Sequence, residues 1–145
     1  VYDFYKLVRS GGQVNEKTLI NRLKKAKLLA FGYADDGNLI AVTSIKVPNN
    51  KYKNDVFING SIKESTENYS YELGYAVTHK EHRGKGYNFK LNKELISKVN
   101  DGNIYATTGN PFMVKLLKKL NFKPIGQEYD GKYNEKLQIY ALDIM

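Results

Sequence analysis

The rhythm of apolar and polar positions divides the chain into alternating helical and extended segments. Val1–Val8, VYDFYKLV, mixes aromatic and aliphatic residues and reads as a helix or a strand, ended by Ser10-Gly11-Gly12. Asn15 caps a predicted helix from Glu16 to about Lys27, with Leu19, Ile20, Leu23 and Ala26 as its apolar stripe and Arg22, Lys24 and Lys25 facing water. Leu28–Ala34 and Leu39–Val47 are rich in strand formers and flank Asp35-Asp36-Gly37-Asn38, a hairpin signal, before Pro48 stops the second run. Asn49–Asn68 is mostly polar around the apolar pair Phe57 and Ile58, so it reads as a long connector with one short strand at most.

The stretch from Tyr71 to Val99 organises the rest. In Tyr71–Thr78, strand formers and small residues run together with no charge after Glu72, the pattern of a largely buried strand. Strict alternation puts Glu72 on the same side as Gly74, Ala76 and Thr78. His79–His82 is a polar connector. From Gly84 onward Tyr87, Leu91, Leu95 and Val99 recur every four residues, with Phe89 and Ile96 beside them and Lys90, Lys93 and Lys98 largely elsewhere, which predicts a helix with one apolar face. Asn103–Thr107 is a short strand. Asn110 then caps a helix running to Leu120, with Pro111 at its first position, Phe112, Leu116 and Leu120 on one stripe, and Met113 and Leu117 next to it. Asn121 tolerates the left-handed conformation of a helix end. Phe122–Gly126 and Lys136–Ile144 close the chain as an antiparallel pair around Asp130-Gly131.

Composition narrows the chemistry. At 145 residues the chain is expected to form a single domain, 1–145. It has no cysteine, which removes disulfides, thiolate metal sites and a thiol nucleophile, and its two histidines give no zinc site, so no metal is expected. Lys and Arg number 23 against 15 Asp and Glu, a net charge of +8, which favours anionic partners such as cofactor phosphates, nucleic acid or an acidic surface. A lysine-rich solvated exterior explains the same charge. No run approaches transmembrane length and no signal peptide is visible, so a cytoplasmic location without membrane attachment is the expectation.

Arg83-Gly84-Lys85-Gly86 opens the central helix with backbone N–H groups that lack intrahelical partners, glycines that admit close approach, and the positive end of the helix dipole. Such a turn is a seat for phosphate. It is neither a GxxxxGK[ST] loop nor a GxGxxG fingerprint. It resembles the RxxGxG/A pyrophosphate-binding motif of the GNAT (Gcn5-related N-acetyltransferase) superfamily, through Arg83, Gly84, Lys85, Gly86 and Tyr87, with Asn88 where that family usually has Gly or Ala. TGNPFMVKLLKKLNFKPIG resembles the family's second conserved block, and the resemblance covers about Ser70 to Ile125.

The resemblance implies an α/β (α+β) fold: a mixed, mainly antiparallel central sheet flanked by helices, with a splayed strand pair forming the acyl-CoA cleft. The usual first strand would be Val1–Val8 or would be lacking. The resemblance implies acetyl-CoA (coenzyme A) as acyl donor, its pyrophosphate held by the amides of Arg83 to Asn88 with charge from Arg83 and Lys85. Val77 and Thr78 would pair through their backbone with the pantetheine arm, and Asn110 would contact the cofactor near it. The expected activity is N-acetyl transfer to an amine by direct attack.

Transfer from a thioester to an amine needs a deprotonated amine, a donor to polarise the carbonyl and, in some enzymes, an acid for the leaving thiolate. Glu72, the only carboxylate in the central strand, is the candidate base. His79 and His82 lie beside the phosphate turn and read as surface residues. Many family members carry a Tyr where this chain has Leu117, so the acid would come from another tyrosine, Tyr105, Tyr129 or Tyr133, of which Tyr133 is the choice. Two other readings keep the fold. One is nucleic-acid binding, as in phage DNA-modification proteins that resemble the superfamily; the other is a non-catalytic acyl-CoA-binding module, suggested by Leu117 and Asn88. The acceptor is not legible; Tyr52–Tyr69 and Tyr129–Tyr133 are the loops that would select it.

Overall fold

Strand formers and amphipathic runs build a mixed architecture in the computed structural model, which describes residues 2–10, 16–64 and 66–144. The elements in chain order are α1 (Tyr2–Ser10), α2 (Glu16–Lys24), β1 (Leu28–Tyr33), β2 (Leu39–Lys46), α3 (Asn50–Asn59), β3 (Tyr69–Thr78), α4 (Tyr87–Ser97), β4 (Asn103–Thr108), α5 (Pro111–Lys119), β5 (Lys123–Asp130) and β6 (Lys136–Leu142). The strands form a six-stranded sheet in the order β1-β2-β3-β4-β6-β5. Its β1–β2, β4–β6 and β5–β6 pairs are antiparallel and its β3–β4 pair is parallel, the mainly antiparallel mixture expected. No helix among the described residues is long and apolar enough to cross a membrane.

The chain divides into two compact units, Val1–Val47 with Leu73–Val99, and Pro48–Glu72 with Asn100–Met145. In the first, Phe4, Leu7 and Val8 of α1, Leu19 and Leu23 of α2 and Val42 of β2 form a buried cluster, with Phe4 edge-on to Phe31 at 5.5 Å. The segment that reads equally as helix or strand is therefore a helix, and it provides no first strand. Its alternatives separate only in tertiary context, because burying Phe4, Leu7 and Val8 together requires helical spacing. The β1–β2 hairpin turns where expected, at Gly37 with φ +88°, and Asp36 Oδ1 accepts from the Asn38 N–H at 3.0 Å. The Asn15 cap and the Gly11-Gly12 break lie outside the described residues.

The second unit corrects the reading of Asn49–Asn68 as a connector. Asn49 is an N-cap whose side chain accepts from the Tyr52 N–H, and α3 follows for ten residues before a short 3-10 turn at Thr66–Asn68. Only Val56, Phe57 and Lys53 of α3 are buried, so no apolar period announces the helix. Lys53 buries its stem and donates from Nζ to the Tyr69 carbonyl at 3.0 Å. Val56 and Phe57 pack with Tyr69, Tyr105, Ile139 and Ala141, and Phe57 meets Tyr105 edge-on at 5.2 Å.

Three further expectations shift. β5 continues to Asp130 rather than ending at Gly126, because a register shift between Ile125 and Tyr129 lets the strand bend and go on. Gly126, at φ +68°, sits against the Gly60 carbonyl at that point, and the Gln127 N–H donates to the same oxygen at 2.8 Å. Phe112, assigned by spacing to the α5 stripe, is 82% exposed, while Leu117 is wholly buried. α4 begins at Tyr87 rather than Gly84, since both Gly84 and Gly86 are left-handed. Asn110 and Asn121 take the cap and left-handed roles expected of them.

Candidate active site

In the first unit β3 feeds directly into the glycine-bearing turn. Gly84 and Gly86 have φ of +78° and +80°, values that L side chains rarely adopt, and no atom lies within 4 Å of where a Cβ would stand on either. Gly86 is the N-cap of α4 and supplies no side-chain cap. The Lys90 N–H is the first to reach back along the helix, to the Gly86 carbonyl at 3.2 Å, so the N–H groups of Tyr87, Asn88 and Phe89 precede the intrahelical ladder. Arg83 folds towards the strand, its Nε donating to the Thr78 carbonyl at 3.0 Å, and Lys85 is exposed.

Among the described residues of this unit, two buried side-chain oxygens lack a hydrogen-bond partner, Oγ1 of Thr78 at the end of β3 and Oδ1 of Asn88 in the first turn of α4. Burying such groups unsatisfied costs free energy that a bound polar ligand recovers. Open glycines, unladdered amides and these two oxygens together fit a phosphate-bearing cofactor with further polar groups beside its phosphates. Asn92, one turn further along α4, is wholly buried. It donates from Nδ2 to the Asn88 carbonyl at 2.8 Å and accepts at Oδ1 from the hydroxyl of Thr43 in β2 at 2.6 Å. Sequence periodicity misses Asn92, because a polar residue on the inner face looks like a break in the stripe.

β3 does not alternate strictly. Tyr75 has φ +53°, an outlier for a bulky residue inside a strand. The Gly74 carbonyl accepts from the Ser44 hydroxyl of β2 at 2.8 Å, and the His79 N–H donates to the Ile40 carbonyl of β2 at 2.6 Å. Backbone groups five positions apart face the same strand only if the pleat slips once between them. The expectation that Ala76 and Thr78 share a side with Glu72 and Gly74 is thereby corrected.

In the second unit Glu72 is buried, with 4% of its surface exposed, and its Oε2 accepts from the Tyr52 hydroxyl of α3 at 3.0 Å. Its ladder partner is Tyr105 of β4. Burial first, and then the charge of Glu72, push the Tyr105 phenol far above the ordinary tyrosine range. Tyr129 is raised as well, chiefly by burial and further by Glu72. Two of the three tyrosines considered as acids thus stand beside Glu72 as neutral phenols. Tyr133 is 65% exposed on the β5–β6 hairpin, its N–H bonded to Glu135 and Lys132 placed over its ring. Asn110 caps α5 through its side chain, which accepts from the Phe112 N–H at 2.9 Å. Sequence reasoning misses Tyr52, which lay in the supposed connector. The β3–β4 register runs from Tyr69↔Asn103 to Glu72↔Tyr105, and β4 continues to Thr108, paired there with Gln138 of β6.

No family model matches the sequence, and no curated protein sequence matches it. Solved structures do match. A GNAT superfamily phosphinothricin acetyltransferase from Sinorhizobium meliloti, solved in complex with AcCoA, superposes with a TM-score of 0.66 at 15% identity, covering 89% of this chain and 69% of that one. A variant of spermidine N-acetyltransferase SpeG from Vibrio cholerae gives 0.67 at 14% identity, covering 97% and 87%. A candidate acetyltransferase from Acinetobacter baylyi gives 0.59 at 19% identity over 78% of this chain, which spans only 60% of that protein. Element order, sheet composition and these superpositions agree that the chain has the GNAT acetyltransferase fold.

Proposed function

We propose that the protein is an acyl-CoA-dependent N-acetyltransferase, with acetyl-CoA as donor and an amine as acceptor. The observation that carries the reading is the turn itself, where two left-handed glycines with open space before them precede the free amides of α4. The orphaned Thr78 and Asn88 oxygens support it. When bound, acetyl-CoA supplies a thioester whose acyl group passes to the amine, leaving a free thiol.

The residues of this chain divide the remaining work. The amides from Arg83 to Asn88 hold the diphosphate, with Arg83 and Lys85 adding positive charge and Tyr87 opening the helix behind it. The slip at Tyr75 turns the Val77 backbone towards β2 and the Thr78 N–H to the opposite edge of β3. Of the two residues assigned to the pantetheine arm, Thr78 therefore offers the donor and Val77 the apolar flank. Glu72 takes the proton of the attacking amine at its carboxylate, which the Tyr52 hydroxyl orients. Tyr105 and Tyr129, kept neutral by burial and by the charge of Glu72, stay as phenols beside that carboxylate rather than acting as acids. Tyr133, the exposed phenol of the hairpin, is the proton donor assigned to the leaving thiolate, a fair leaving group in its own right. The contact of Asn110 with the cofactor is carried by the motif alone.

One observation favours a second reading. Leu117 stands wholly buried where many family members have a tyrosine, so the protein would bind acyl-CoA without turning it over. Nothing in the neighbouring folds supports a nucleic-acid partner. Incubation with acetyl-CoA and a panel of primary amines, followed by free-thiol release and mass spectrometry of the products, separates the readings. Thiol release that depends on one class of amine is the expected result. Binding of acetyl-CoA with no release for any amine favours the non-catalytic module.

A further inference from the structure

The strand order ends in β5 on one side and β1 on the other, and the two strands are guarded differently. β5 carries Lys123, Pro124, Glu128 and Asp130, breaks its register between Ile125 and Tyr129, and gives the Gln127 N–H to the Gly60 carbonyl. Charges, a proline and a bulge are the devices that keep an edge from pairing with another chain. β1 has no charge and no proline in Leu28–Tyr33, LLAFGY, and its register shifts only at its last residue, Tyr33. Among the described residues the backbone of β1 bonds to β2 alone, and the chain before it folds as α1 and α2, so no strand covers its outer edge.

No residue of β1 is fully buried. An uncharged, apolar edge of this kind accepts an added strand through its backbone groups. The flanking charges say which strand. Lys24 and Lys25 precede β1, Asp35 and Asp36 follow it, and all four are exposed. A second β1 laid parallel would set cations beside cations. Laid antiparallel, it sets the basic end of each copy beside the acidic turn of the other. Antiparallel pairing of a strand with itself is a two-fold contact, so residues that meet lie on the same face and the register centres on one residue. Leu29 and Phe31 pack towards the α1–α2 cluster, whereas a Cβ on Gly32 would meet Leu91 of α4, and alternation puts Leu28 and Ala30 on the Gly32 side. Centring on Ala30 sets methyl against methyl, Leu28 opposite Gly32, Leu29 opposite Phe31, and Lys25 alongside Asp35.

We propose that β1 is a homodimerisation edge, to which a second copy of this chain adds its own β1 antiparallel about Ala30. The inference is independent of the acyl-CoA reading, since it uses neither the glycine turn nor Glu72. A single strand pair is a small contact, so association is expected to depend on concentration. The test is sedimentation velocity from about 1 µM to about 1 mM, with hydrogen–deuterium exchange at both ends of that range. It compares wild type, Lys25→Asp, Asp35→Lys and the double exchange. Wild type is expected to pass from monomer to dimer and to gain protection at Leu28–Tyr33. Each single exchange sets like charges together and is expected to weaken the dimer about tenfold, and the double exchange, with its pairs reversed, to restore it. Lys25→Asp also lowers the net charge of +8, so tighter association of that variant would mean that overall charge governs and would overturn the pairing. A monomer at every concentration, or a dimer protected elsewhere than β1, overturns the proposal. So do β1 amides already protected in the dilute monomer, the result expected if another segment of the chain covers the edge.

Discussion

The hydroxyl of Tyr52 donates to Oε2 of Glu72 at 3.0 Å, linking a helix that the apolar pattern does not announce to the one carboxylate of the central strand. A carboxylate this buried needs oriented donors, and its orientation in turn fixes where it can receive a proton. Glu72→Gln keeps the shape and an acceptor but removes the base. It is expected to lower kcat/KM by about 10²–10⁴ without changing acetyl-CoA affinity. Tyr52→Phe removes only the orienting donor and is expected to lower it less. Steady-state kinetics beside calorimetric titration checks both; a fall in affinity matching the fall in rate would remove Glu72 from the chemistry.

Gly86 separates backbone strain from ligand recognition. Nothing lies within 4 Å of a Cβ placed there, so Gly86→Ala bears only the left-handed penalty of about 1–2 kcal/mol. It is expected to bind acetyl-CoA still. Gly86→Glu carries the same strain and adds a carboxylate where phosphate should lie, and it is expected to abolish binding. Urea unfolding should give similar stabilities for the two variants, so that their difference in affinity reports the ligand.

Asn92 ties Thr43 of β2 to the carbonyl of Asn88, inside the first turn of α4. Asn92→Leu leaves the Thr43 hydroxyl without its acceptor, whereas the Asn88 carbonyl keeps the backbone N–H of residue 92 within the helix. A loss of about 1–3 kcal/mol for the buried hydroxyl left unsatisfied is expected in urea unfolding. Thr43→Val in the same chain removes that orphan and should recover part of the loss, a coupling that a double-mutant cycle measures.

Alkaline pH should destabilise the fold through tyrosines. Burial, with Glu64 and Asp143 nearby, pushes Tyr69 up to about 12 from its ordinary 10. Between those values the unfolded chain has lost the proton that the native state still binds, so unfolding is favoured increasingly as pH rises from 10 towards 12. Tyr105, Tyr129 and Tyr140 are raised too and act in the same direction. Chemical denaturation across this range should show the decline, and Tyr69→Phe should make it shallower.

Where apolar spacing is regular, the sequence is legible. The β1–β2 hairpin, the strand leading to Thr78, the turn at Gly84 and Gly86, and the Asn110 and Asn121 ends of α5 all follow from local chemistry, because φ preference and capping are properties of a few adjacent residues. What escapes is decided by partners distant in the chain. α3 buries only Val56, Phe57 and the stem of Lys53, too few to show a period, and Tyr52 therefore looks like a loop residue. The slip at Tyr75 has no residue signature, since a tyrosine with positive φ is held there by its surroundings. Asn92 reads as a flaw in an apolar face until Thr43 is placed opposite it. The motif locates the turn of left-handed glycines before α4, whereas the polar groups around Glu72 emerge only when three tyrosines from α3, β4 and β5 converge on it.

Isothermal titration of wild-type protein with acetyl-CoA, run beside Gly86→Glu, is the most direct measurement. Saturable one-site binding by wild type, accompanied by a rise in Tm with donor concentration and lost in Gly86→Glu, is the expected result. Absence of binding by wild type, or the same isotherm for both proteins, would contradict the placing of a diphosphate at the head of α4.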